Sequence, residues 1–156
     1  ERYPNILLER QAARLLAACI QAAGGAREIV PVSGWRSQAE QQAIWEDTLQ
    51  RRGEAFTRQY VAVPGCSEHQ TGLALDIVDA SYQILDQGQE DTLVQQWLIE
   101  HSWEYGFVLR YPNAKSEITG IIYEPWHYRY VGREAAREMT ELDLCLEEYV
   151  DWLSAQ

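Results

Sequence analysis

Leu8, Ala12, Leu15, Leu16, Cys19 and Ile20 recur at helical spacing, which predicts a helix over residues 5–23 with Asn5 as its cap. Gly24–Gly25 end it, because glycine enters the left-handed C-terminal conformation at little cost. IVPVS, residues 29–33, reads as a short strand, and Pro31 puts it at a sheet edge or a bulge. Ser37 and Glu40 form a capping box for the next helix, which ends at Gly53; Ala39, Ala43, Ile44, Trp45 and Leu49 are its expected buried side. FTRQYVAVPGC reads as one or two short extended pieces before a turn at Pro64–Gly65. Residues 73–78 are a strand by their apolar and β-branched content, interrupted by Asp76.

A polar loop follows over residues 81–89. Leu93, Val94, Trp97, Leu98 and His101 then predict a helix over residues 90–105, closed by Gly106. FVLRY, residues 107–111, is a strand, and PNAKSE is a loop placed to lie over a pocket. GIIYE and WHYRYV read as a strand pair or one strand bent at Pro125. From Arg133 the chain is helical and acidic, with a break near Thr140 to Asp143. Mixed helices and strands with short connections argue α+β, a small, mainly antiparallel sheet with helices packed on one side. Without repeat, low-complexity tract or linker, residues 1–156 read as a single domain.

Composition changes this picture in few places. The apolar content of 46% suffices for a core. Six Trp and nine Tyr are read first as large core residues, some of which line a pocket. The net charge of −11 is lopsided: residues 1–78 carry eight basic and nine acidic groups, while residues 79–156 carry five and fifteen. Such a field, with no basic patch, argues against nucleic acid and anionic membrane as partners. Cys19, Cys66 and Cys145 are far apart and lack CxxC spacing, so they are expected as reduced thiols, Cys66 as small buried filler. No apolar run of about 18 residues could span a bilayer, so a cytoplasmic protein without membrane insertion in this chain is expected. The chain opens on Glu1 rather than Met, which is also compatible with a removed N-terminal anchor. The oligomeric state is not legible.

The candidate chemistry sits in two distant stretches. SEHQTGLALDI offers His69 and Asp76, and EPWHYRYVG offers Glu124 and His127. Two imidazoles and a carboxylate are the ligand set of a zinc site that keeps a position open. A buried carboxylate such as Asp76 in an apolar strand needs a partner or a metal. Glu124 stands where a general base is wanted. Glu124 and His127 are three apart, which on a regular strand puts them on opposite faces; a bulge at Pro125 is expected to turn both inward. Arg36, in SGWRS, can bring a planar cation beside an attacked carbonyl, an effect worth about 3–4 kcal/mol in comparable sites. Each residue alone has a blander reading, as an ion-pair former, a cap or an exposed acid. His101, among apolar helix neighbours, keeps that structural reading.

At these residues the sequence resembles a known family. The pattern S-x-H-x-x-G-x-A-x-D is matched by Ser67, His69, Gly72, Ala74 and Asp76. E-x-W-H-x-x-Y-V-G is matched by Glu124, Trp126, His127, Tyr130, Val131 and Gly132. S-G-[YW]-R-S, with Gln five residues after the Arg, is matched by Ser33, Gly34, Trp35, Arg36, Ser37 and Gln41. These are the marks of the zinc D,D-peptidases of the D-Ala-D-Ala carboxypeptidase and dipeptidase type, and the wider text is most similar to the bifunctional VanXY group of vancomycin resistance. Trp35 stands where Tyr is commoner.

The resemblance implies a fold shared with lysostaphin-type peptidases and the hedgehog domain. It implies Zn²⁺ held by His69, Asp76 and His127, with Glu124 as base and Arg36 as transition-state stabiliser. It implies Ser67 and Gln41 as holders of the substrate's terminal groups. The expected substrates are the D-Ala-D-Ala dipeptide and peptidoglycan precursor peptides ending in it. Two other readings stand beside this one: an L,D-carboxypeptidase or endolysin of the same fold, and a non-catalytic hedgehog-like zinc module, against which Glu124 and Arg36 argue. The loop 112–119 is expected to help set the balance between dipeptide and longer peptides.

Overall fold

Four strands, β1 (Ile29–Ser33), β2 (Ala74–Asp79), β3 (Phe107–Leu109) and β4 (His127–Tyr130), form one sheet in the order β1-β2-β4-β3. All its pairings are antiparallel. The computed structural model describes residues 3–24 and 28–156, so the expectations that rest on Glu1 and Gly25 lie outside the described residues. β1 is an edge strand, and its register against β2 shifts between Pro31 and Ser33. Both follow from a proline that cannot donate to the ladder.

Alternation along β2 decides what each face does. Leu75 and Ile77 join Tyr128, Phe107 and Ile29 in the main core. Helices α1 (Arg10–Ala22) and α4 (Leu93–His101) complete it through Ala12, Leu16, Cys19, Val94 and Leu98. Asp76 lies between Leu75 and Ile77 and so faces the other way, directly opposite His127 in the ladder. Val108 also turns from this core, and packs with Ala136, Met139 and Tyr149 of α6 (Arg133–Glu141) and α7 (Leu146–Ser154). Helices therefore lie on both sides of the sheet rather than on one, with α6 and α7 packed beyond β3.

A buried polar pair fixes the core register. The Tyr128 hydroxyl donates to Gln95 Oε1 (2.9 Å), and Gln95 Nε2 donates to the carbonyl of Ile77 (2.9 Å). Tyr128→Phe would strand the Gln95 oxygen in a site fully closed to solvent. The expected loss is about 1–3 kcal/mol of unfolding free energy. Urea unfolding checks it, and an unchanged midpoint with an unchanged slope would contradict it.

Several elements differ from the sequence expectation. α1 begins at Arg10, not near Asn5, and its cap is Glu9, whose carboxylate accepts from the Gln11 and Ala12 amides. Residues 5–9 instead run alongside the loops of the site: the Trp35 amide donates to the Leu7 carbonyl, and the Glu9 amide donates to that of Gly72 (2.8 Å). Gly34 has to be glycine here, because a Cβ would overlap the Leu7 carbonyl oxygen. Gly72 has φ +73°, a left-handed bend.

α2 (Gln38–Arg52) has the expected Ser37–Glu40 capping box. Its supposed buried side is largely exposed, Ile44 to 37% and Leu49 to 39%, and its buried residue is Gln41. The helix packs beside α3 (Glu54–Tyr60) and not on the sheet. α3 replaces the expected extended pieces; Phe56 and Tyr60 stack at 4.2 Å, four residues apart on one helix face. In the 112–119 segment, a 3-10 turn at Asn113–Lys115 leads into the short α5 (Ser116–Thr119). Lys115 ties the segment to Glu148 (2.9 Å), and none of its residues lines the central cavity. Residues 120–126 form no strand. α6 and α7 meet at the expected break, where Asp143 has φ +53°.

Candidate active site

The solvent-side face of β2 and β4 carries the chemistry. A 3-10 turn, Glu68–Thr71, precedes the Gly72 bend and sets His69 beside the start of β2. His69 Nδ1 lies 2.8 Å from the Gly34 carbonyl. A carbonyl only accepts, so Nδ1 carries the proton and Nε2 keeps its lone pair, 3.4 Å from Asp76 Oδ1. His127 Nδ1 approaches the same oxygen at 3.4 Å. The two imidazoles meet edge to face, 5.0 Å between centres.

Glu124 and His127 come together by a turn and not by the expected strand bulge. The His127 amide donates to the Glu124 carbonyl (3.1 Å), closing a four-residue turn with Pro125 in its second position, where proline's fixed φ is favourable. Glu124 Oε2 then stands 3.5 Å from His127 Nδ1. His69, Asp76, Glu124 and His127 are all buried.

Burial sets the charges. It pushes the Glu124 carboxyl up to about 7, helped by the nearby Asp76 and opposed by His127. Burial would also raise Asp76, but contacts with His127 and His69 hold it well below the usual carboxylate range. Burial alone would lower His127, yet Asp76, Glu68 and Glu124 draw it up to about 9. The pocket thus favours positive charge at the point where these groups meet.

Arg36 reaches the same place from the loop between β1 and α2. Its guanidinium is 3.8 Å from Asp76 Oδ2, donates to Ser33 Oγ (3.0 Å) and to Gln41 Oε1 (2.8 Å). Gln41 Nε2 donates to the Ala62 carbonyl (2.8 Å), so both ends of this 1% exposed amide are engaged inside the protein. Ser67 also lines the cavity. The cavity is about 450 Å³, with Tyr60, Phe56, Leu85, Tyr111 and Trp126 among its apolar walls. His101 lies apart on α4, 2.8 Å from Glu104. The three cysteines are free, and Cys66 is exposed, not the buried filler expected.

Sequence reading missed Glu68. It is held by Arg110 Nε at 2.8 Å and Arg129 Nη1 at 3.2 Å, with its other oxygen 3.6 Å from His127 Nε2. Its place next to His69 was the available signal, but Arg110 and Arg129 are too distant in sequence to disclose the pairing.

His69, Asp76 and His127 each offer an atom within one small triangle, all three buried. Their 3.4 Å spacings about Asp76 Oδ1 agree with the roughly 3.3 Å between neighbouring ligand atoms around tetrahedral zinc. Asp76 Oδ1 is sealed from solvent without a hydrogen-bond partner, a costly arrangement unless an ion completes it. The donor set fits a divalent metal.

Three buried groups able to hold a metal beside a buried carboxylate are the equipment of a metal-dependent hydrolase, and comparison with known proteins narrows the class to metallopeptidases. The chain belongs to the VanY D-alanyl-D-alanine carboxypeptidase family, whose profile matches residues 5–133. It is 39% identical over 153 residues to VanXYC of Enterococcus gallinarum, a bifunctional D-Ala-D-Ala dipeptidase and carboxypeptidase, covering 96% of this chain and 80% of that one. The chain spans about half the length of the other curated relatives it matches.

Among solved structures, the D,D-dipeptidase VanXYg bound to a D-Ala-D-Ala phosphinate analogue superposes with a TM-score of 0.90 at 42% identity, covering 99% of this chain and 62% of that one. The LD-carboxypeptidase LdcB gives 0.85 at 40%, covering 92% and 68%. A VanY D,D-pentapeptidase in complex with Zn(II) gives 0.80 at 37%, covering 92% and 83%. No helix among the described residues is long and apolar enough to cross a membrane.

Proposed function

We propose that residues 1–156 act as one zinc D,D-peptidase domain. It hydrolyses the D-Ala-D-Ala bond in the free dipeptide and at the C-terminus of peptidoglycan precursor peptides, which lowers the amount of vancomycin target. The observation that carries this reading is the convergence of His69, Asp76 and His127 with Glu124 in one cavity. Zinc would be held by His69 Nε2, Asp76 Oδ1 and His127 Nδ1. When bound, the ion supplies a Lewis acid and makes water a better nucleophile.

The rest is the work of side chains. Glu124 takes a proton from the attacking water and returns it to the leaving amine, a task suited to a buried carboxylate standing beside the three ligand atoms. Arg36 meets the negative charge that develops on the attacked carbonyl oxygen. Ser33 and Gln41 aim it, and Gln41, which also lines the cavity, keeps a second amide proton for a substrate terminal group. Ser67 remains the hydroxyl for a terminal group. Arg36→Ala should lower kcat by about 10²–10³-fold, with zinc content unchanged. An equal fall in zinc content would mean that Arg36 supports the metal cluster instead.

Cleavage of an L,D bond is the competing reading, favoured by the likeness to LdcB. Zinc-loaded and chelated protein would be given D-Ala-D-Ala, L-Ala-D-Ala, and pentapeptides and tetrapeptides of the stem, with free D-Ala measured. Release from D-Ala-D-Ala and the pentapeptide, lost on chelation and regained with zinc, supports the D,D assignment. Release only from L,D-linked substrates refutes it. A chimaera exchanging residues 112–119, which join the cavity-lining Tyr111 and Ile121 at the cavity edge, should change its ratio of dipeptide to pentapeptide hydrolysis. An unchanged ratio would remove that segment as a selector. We assign the activity to the cytoplasm on the strength of three free thiols.

A further inference from the structure

Two buried atoms face each other beside the His69–Asp76–His127 triangle without a hydrogen bond. His127 Nε2 and Glu68 Oε2 lie 3.6 Å apart, and both are sealed from solvent without a partner. His127 turns Nδ1 toward Asp76 Oδ1. To offer a lone pair there, the ring has to carry its proton on Nε2. That N–H is directed at a carboxylate oxygen with nothing else to bind.

Glu68 is itself fixed. Its Oε1 accepts from Arg110 Nε and lies against Arg129 Nη1. Arg110 is gripped by both oxygens of Glu147 on α7, at 2.6 and 2.9 Å. Glu68 therefore has one oxygen anchored and one to spare. His69 has a different arrangement, in which the Gly34 carbonyl holds its ring.

We propose that Glu68 is the positioning residue of His127: its free carboxylate oxygen accepts the Nε2 proton, fixes that tautomer and turns Nδ1 to the metal. A carboxylate in this position also makes the imidazole a more basic ligand, and removing such a partner typically weakens metal binding roughly 10–100-fold. The proposal rests on His127 being a ligand, as in the function proposed above.

Zinc affinity would be measured by competition with a chromophoric chelator for the wild type, Glu68→Ala, Glu68→Gln and Glu147→Gln. The His127 ring tautomer would be read by ¹⁵N NMR of the zinc-loaded proteins, and melting of the metal-free proteins would report the fold. Glu68→Ala should bind zinc roughly 10–100-fold more weakly and lose the protected Nε2–H signal. Glu68→Gln should lose less, because its amide oxygen can still accept, and it carries the test if the alanine variant does not fold.

Glu147→Gln should lower the melting temperature and leave zinc affinity near wild type. Wild-type zinc affinity and tautomer in both Glu68 variants would overturn the proposal. So would a loss in Glu147→Gln equal to that in Glu68→Ala, which would assign the effect to the ion-pair network. A wild-type protein that binds no zinc would instead refute the metal site itself.

Discussion

Glu124→Ala is expected to keep its zinc and lose hydrolysis of D-Ala-D-Ala by about 10²–10⁴-fold, the span attributed to a positioned acid–base group. The substitution separates catalysis from metal binding because Glu124 stands beside the ligand triangle and not in it. Among the described residues its carboxylate makes one ion-pair contact, with His127 at 3.5 Å, and His127 keeps Asp76 and Glu68 beside it when Glu124 is truncated. Initial rates with D-Ala-D-Ala, together with metal content by mass spectrometry, check both halves. Turnover within tenfold of wild type would remove Glu124 from the mechanism. Loss of zinc along with turnover would move it into the ligand set.

Asp76→Asn is expected to act one step earlier. The side chain keeps its shape but gives up the charge on an oxygen that two imidazoles approach at 3.4 Å. Zinc affinity should fall by more than the roughly 10–100-fold that loss of an outer partner costs, and hydrolysis should vanish at any zinc concentration that the wild type needs. Circular dichroism should remain that of a folded protein, since the β2–β4 ladder does not depend on the carboxylate. A variant that still binds zinc like the wild type would exclude Asp76 as a ligand and leave its buried, partnerless oxygen without an explanation.

The convergence of His69, Asp76 and His127 was legible because each half of it is local. His69 and Asp76 are separated by one bend and one strand start, and His127 opens a short strand rich in tyrosine, HYRY. Strands β1 to β4, the Ser37 capping box and the edge position of β1 were legible for the same reason, since each depends on a few adjacent residues, whereas the strand expected over GIIYE does not form. What failed depended on tertiary partners. The periodic apolar positions of α2 suggested a buried side, but the helix stands beside α3 with those positions toward solvent. Phe56 and Tyr60 looked like strand residues and stack along a helix instead. Asn5 looked like a cap, yet residues 5–9 are held out of the helix by bonds to loops around Trp35 and Gly72. Glu68 stayed hidden because its partners lie 42 and more residues away.

Those bonds from Leu7 and Glu9 carry a practical consequence. The residues just ahead of α1 touch the loop that presents Arg36 and the bend that separates His69 from Asp76, so they work as a splint between two pieces of machinery. Anyone trimming or swapping the front of this polypeptide should cut before Ile6. A breakpoint at Arg10 would leave every reacting group in place on paper and loosen the joint that keeps them in register.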